Sequence, residues 1–91
     1  MVIFLFVVVV YDINVERVTK VCAYLRKFLF RVQNSVFEGE ITKGQFTRMK
    51  SGLKKIIVDQ EDTIRIYILP HDKVVRIETM GKEISEFCQI I

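Results

Sequence analysis

The chain lacks most of what site chemistry is usually built from. Its two cysteines, Cys22 and Cys88, are too few for a disulfide framework, and both stand in apolar company as small core residues. The single histidine, His71, follows Pro70 beside Asp72, a loop setting with no second imidazole to build a metal cluster. There is no glycine-rich phosphate loop, and no nucleophile stands with a base and an orienting group. The longest apolar run, Val2 to Val10, is nine residues long, whereas a membrane-spanning helix needs about 20. No membrane association is therefore expected, and without a readable secretory signal a cytoplasmic location is. Internal repeats, low-complexity runs and flexible linkers are absent too.

What is present is a rich supply of core. Half of the 91 residues are hydrophobic (51%), with seven Phe and three Tyr, in a chain sized for one domain, residues 1–91. A monomer this small buries only about 60 to 65% of its unfolded surface, so this much apolar side chain suits a second subunit. The ending Phe87-Cys88-Gln89-Ile90-Ile91 fits the same reading, since strand addition to a partner's sheet would cover it.

The Val2–Val10 run is rich in β-branched residues, the mark of a strand buried on both faces, and it runs into Tyr11-Asp12-Ile13-Asn14. Asp12 thus stands at the strand's C-terminal end, where ligand sites often gather. Taken alone, a carboxylate there reads first as a turn or pre-helix residue. Asn14 is placed to cap a helix whose apolar stripe is Val15, Val18, Cys22, Leu25 and Leu29. Residues 31–40 read as a short hairpin, with Asn34 and Ser35 in the turn and Gly39 easing the backbone at its end. Thr42 and Gln45 fit a capping box for a second helix carrying Phe46, Met49, Leu53 and Ile56 inward. Gly52 lowers that helix's propensity by about 1 kcal/mol relative to Ala. A polar connector at residues 59–62 leads to an alternating strand at 63–69, stopped by Pro70, and residues 74–78 form a last short strand candidate. Strand, helix, hairpin, helix and strand make an α+β fold, the ferredoxin-like βαββαβ arrangement. Its four antiparallel strands carry two helices on one face, and the open face needs a partner.

Charge is unevenly spread. Residues 17–55 hold ten basic side chains against Glu38 and Glu40, while the segments on either side are net acidic. Such a middle could steer a phosphate backbone, with Arg17, Lys20, Arg26, Lys27, Lys43, Arg48 and Lys50 as the nucleic-acid-binding candidates. The solvated faces of two ordinary helices would carry the same charges. In a twofold dimer, Asp12 would be duplicated, and two carboxylates could share one magnesium ion able to stabilise charge on a phosphodiester. Tyr11 lies on the other strand face as a core or interface aromatic. Arg31, at the hairpin entry, could bind a phosphate or an acidic neighbour.

The run Val8-Val9-Val10-Tyr11-Asp12-Ile13, taken with Arg31-Val32-Gln33-Asn34-Ser35-Val36-Phe37-Glu38-Gly39-Glu40, resembles the small CRISPR-associated proteins of the Cas-two family. The Tyr-Asp strand ending is a weak motif. The Arg-Val-Gln-x-Ser-Val-Phe-Glu-Gly block is specific, and its distance from Asp12 agrees. The resemblance implies a ferredoxin-like homodimer whose C-terminal segment, residues 74–91, packs onto the partner's sheet. It implies a magnesium-dependent endonuclease acting on single-stranded RNA or double-stranded DNA. It also implies a DNA-binding scaffold of spacer integration, with the Cas-one integrase as partner. The family's metal aspartate matches Asp12, and its active-region residues match Arg31, Ser35 and Phe37. Two departures stand out. Asn14-Val15-Glu16-Arg17 replaces further acidic or paired basic residues after the Asp, which leaves Asp12 with less local help in holding a cation. Phe28-Leu29-Phe30 replaces a glycine before the block, which suggests a different loop geometry. A scaffold without catalysis, a toxin-like ribonuclease and a generic RNA-binding module of the same fold are the alternatives. An exposed stacking pair such as Phe37 and Tyr67 would favour the last.

Overall fold

The computed structural model describes residues 4–70 and Met80. The candidate strand at 74–78, the dimer-completing segment 74–91, His71 and Cys88 lie outside the described residues. The elements run β1 (Phe4–Asp12), α1 (Val15–Leu25), β2 (Phe30–Gln33), β3 (Val36–Thr42), α2 (Lys43–Ile56) and β4 (Thr63–Pro70). The four strands form one antiparallel sheet in the order β2-β3-β1-β4. This is the ferredoxin-like arrangement that the sequence predicts.

Strand alternation decides which side chains meet the helices. Along β1, Val7, Val9 and Tyr11 are buried. In register beside them lie Gly39, Phe37 and Ile64. Against this face pack Val21 and Leu25 of α1 and Phe46, Met49 and Leu53 of α2, and together these residues form the core. The opposite row, Phe6, Val8 and Val10, is only half-buried, so β1 is covered on one face rather than two. Its neighbours on β4, Leu69 and Tyr67, are exposed, Tyr67 by 44%. An apolar sheet face is thus left open, as a chain rich in core for its size suggests.

Two phases differ from expectation. Val15 is 82% exposed and Val21 fully buried, because α1 begins at Val15 and its first residue faces out while the 18, 21, 22, 25 row faces in. Gly39 sits inside β3, not at the hairpin's end. A Cβ there would stand 3.2 Å from Leu29 Cδ2, so it serves close packing against the chain after α1. The capping box is present: Gln45 N donates to Thr42 Oγ1 (3.1 Å), and Thr42 N donates to Gln45 Oε1 (2.9 Å).

Candidate functional site

Asp12 is the last residue of β1 and its side chain is exposed. Alternation puts it in the row of Phe6, Val8 and Val10, on the open face and opposite Thr63. Asn14 just beyond caps α1, its side chain accepting from Glu16 N at 2.9 Å. The loop between them is held by a residue far along the chain. Asp62 accepts from Asn14 N (2.8 Å), from Val58 N (2.8 Å) and from Arg17 Nε (2.7 Å), and its side chain is fully buried. The Arg17 guanidinium, with burial opposing and the two backbone amides assisting, holds the Asp62 carboxyl well below the usual carboxylate range. Arg17 itself is pushed up by Asp62 and then by Glu61, which accepts from its Nη2 at 2.7 Å.

This network ties down Arg17, one of the expected nucleic-acid contacts, within the fold. Its guanidinium is spent on Asp62 and Glu61, and only 18% of its side chain is exposed. No local pattern signals this, since the partners lie 44 and 45 residues away. Lys20, Arg26, Lys27, Lys43, Arg48 and Lys50 are exposed on the helix layer. Lys27 Nζ stands 5.6 Å from the Tyr24 ring centre and Lys50 Nζ 4.5 Å from that of Phe46, so both ammonium groups lean on aromatic faces while staying in solvent.

The hairpin residues lie on the other side of the sheet from Asp12. Tyr11 N donates to Ser35 O (3.1 Å), which ties the turn to β1 with Ser35 at φ 68°. Arg31 Nη2 donates to Asn34 Oδ1 (2.8 Å) across the same turn. Between this turn and α1 lies a cavity of about 430 Å³, lined by Tyr11, Cys22, Arg26, Arg31 and Ser35 among others. The Tyr11 hydroxyl is hydrogen-bonded to Cys22 Sγ at 2.8 Å. Burial first, and the Cys22 contact after it, push the phenol up to about 12, so Tyr11 is a neutral wall and no base.

Phe37 is wholly buried, with its ring centre 6.0 Å from that of Tyr11, so it packs in the core against Tyr11. The stacking pair Phe37 and Tyr67 is excluded for the same reason. The structure therefore brings Arg31 and Ser35 together at the cavity, buries Phe37 beneath them, and sends Asp12 to the opposite face.

Among the described residues no three His, Cys, Asp or Glu side chains gather as a metal cluster. Asp12 offers an exposed carboxylate that takes no part in the Asp62 network. Hard oxygen donors suit magnesium, which keeps much of its water and takes one or two carboxylates. No helix among the described residues is long and apolar enough to cross a membrane.

Comparison with known proteins fits this arrangement. The profile of the family described as CRISPR associated protein Cas2 matches residues 5–77. The chain is 49% identical over 87 residues to the CRISPR-associated endoribonuclease Cas2 of Pyrococcus furiosus, covering 96% of this chain and all (100%) of that one. It is 46% identical over 87 residues to the protein of the same name from Methanocaldococcus jannaschii, covering 96% of this chain and 76% of that one. The crystal structure of a Cas2 superposes with a TM-score of 0.78 at 41% identity, over 88% of this chain and 90% of the other. That of Streptococcus pyogenes Cas2 gives 0.71 at 38% identity, over 84% and 99%.

Proposed function

The chain belongs to the CRISPR-associated Cas2 family, and from that premise we propose that it is a CRISPR adaptation nuclease. On this reading it works as a twofold dimer that binds nucleic acid on its helix layer and hydrolyses phosphodiesters, with the two Asp12 carboxylates as the residues that would hold a magnesium ion. Support for the nuclease comes from relatives named endoribonucleases. The observation that carries the paired site is the position of Asp12, exposed at the end of an open apolar row of Phe6, Val8 and Val10. A twofold copy packed on that face near its Asp12 end covers the apolar side chains and brings the two carboxylates toward one another.

Each residue then has a separable task. Asp12 would hold the cation through a carboxylate oxygen. Magnesium, when bound, supplies Lewis acidity and activates water. The Asp62 network fixes the loop after Asp12 and so aims the carboxylate. Lys20, Arg26, Lys27, Lys43, Arg48 and Lys50 hold the phosphate backbone with little base reading. Arg31 and Ser35 engage the strand on the hairpin side. The homodimer, completed by residues 74–91, and a Cas-one integrase partner belong to the same proposal, as do double-stranded DNA and single-stranded RNA as substrates.

The test compares magnesium-dependent cleavage of labelled duplex DNA and single-stranded RNA by the native protein and by Asp12→Asn, with sedimentation to verify the dimer. Cleavage lost in a still-dimeric variant is the expected result. Equal cleavage by both, or none by either, overturns the Asp12 mechanism. A protein that binds duplex DNA without cutting it would be the integration scaffold alone.

A further inference from the structure

The cavity beneath the hairpin turn has no task in a mechanism centred on Asp12. We propose that it takes up one nucleotide unit of a single-stranded nucleic acid, with the phosphate between Arg26 and Arg31 and the base against α1. This deepens the nucleic-acid reading above and rests on it.

Size and lining point the same way. About 430 Å³ lies in the range of small-molecule sites, roughly 300 to 1,000 Å³, and is far too little for a duplex. Val18, Cys22 and Ala23 of α1 supply an apolar wall suited to the flat face of a base, and among the described residues no carboxylate lines the cavity. Two guanidinium groups reach it from separate elements, Arg26 from the end of α1 and Arg31 from β2. One Arg31 nitrogen donates to Asn34, which orients the group and leaves its other N–H donors for a phosphate. The Tyr11 hydroxyl is already engaged by Cys22, so the cavity floor presents no competing anion.

The geometry also selects the form of the substrate. A base stacked inside a duplex cannot enter such a recess, whereas an unstacked base of a single strand can be laid against a protein wall. The cavity and Asp12 belong to opposite faces of the sheet, so a nucleotide held here is anchored away from the cleavage carboxylate and sets which part of the strand approaches it.

The probes are 5′-uridine monophosphate and inorganic phosphate, titrated into the full-length protein while backbone amide shifts are followed by NMR. Saturable shifts at Cys22, Asn34 and Ser35 are expected, with the nucleotide at least about tenfold tighter than phosphate. Ala23→Phe, on an exposed helix position, fills the recess and should weaken the nucleotide by about tenfold or more. Arg26→Gln should do the same without altering the volume, which covers the case in which the larger residue disturbs folding. Shifts scattered over the basic helices, equal affinity for phosphate, or undiminished binding in both variants would overturn the proposal. Duplex DNA binding, read in parallel by fluorescence anisotropy, separates the two levels. Duplex binding without nucleotide binding sinks the cavity alone, and loss of both sinks the nucleic-acid reading with it.

Discussion

Replacing the helical glycine Gly52 by alanine should destabilise this protein, against the general rule. In a helix interior Ala is favoured over Gly by about 1 kcal/mol, and at most positions that gain is realised. Here a Cβ built on Gly52 overlaps the Tyr24 hydroxyl and the ring carbons behind it. Tyr24 must leave, and three contacts go with it. Its hydroxyl donates to Arg48 O (2.9 Å), its ring meets Phe28 edge-on at 5.3 Å, and it carries Lys27 above it. The hydrogen bond contributes about 1 kcal/mol and the aromatic pair about 0.5 to 1.5 kcal/mol, and rearranging the α1–α2 crossing adds some of the about 1 to 3 kcal/mol typical of overpacking. Set against the propensity gain, the net loss is about 1 to 2 kcal/mol. Urea unfolding at one fixed protein concentration reads it, which holds any contribution from self-association constant. Two companions make the test sharp. Gly44, on the same helix with nothing near its absent Cβ, should gain up to about 1 kcal/mol as Gly44→Ala. In a Tyr24→Ala background, Gly52→Ala should turn stabilising by a similar amount, a coupling of about 2 to 3 kcal/mol. A Gly52→Ala protein more stable than its parent while Tyr24 is present would refute the argument.

Other outcomes follow from the same geometry. The depressed Asp62 carboxyl contributes stability that is fully present above the ordinary carboxylate value, about 4. That contribution is lost as the pH falls toward the lowered value in the fold. Asp62→Asn should therefore flatten the acid limb of a stability–pH curve, and an unchanged limb would show that other carboxylates carry it. Thr42→Ala should cost α2 about 1 kcal/mol by removing half of the capping box, as urea midpoints will show. Lys43→Ala or Arg48→Ala should lower the slope of log binding constant against log salt for duplex DNA by about 1 each. Arg17→Ala should leave that slope alone while destabilising the protein, because its partners are Asp62 and Glu61.

The elements that declare themselves through short-range pattern were readable in advance. The Val-rich β1, the Thr42–Gln45 box and the Phe46, Met49, Leu53 stripe each rest on residues within a turn or two of one another. Asp12 could be singled out for the same reason, as the first charge after an apolar run. What escaped was set by distance or phase. Asp62 reads as connector polarity because its partners lie at 14, 17 and 58. Gly52 reads as a weak spot in a helix because the ring that fills its place comes from α1. Phe37 and Arg31 stand opposite each other across β2 and β3, yet one is buried and the other exposed. A motif that places them six residues apart cannot show that one supports the turn while the other faces the cavity.

The bond from Asn14 N to Asp62 spans 48 residues, and this has a meaning for the chain as it is made. A ribosome delivers Tyr11, Asp12 and the whole of α1 long before residue 62 leaves it. Until then the loop behind the carboxylate lacks the Asp62 acceptor for Asn14, and Arg17 lacks its Asp62 and Glu61 partners. An emerging chain thus carries the loop after Asp12 without its tie to Asp62, and that tie becomes available only once the start of β4 has been made.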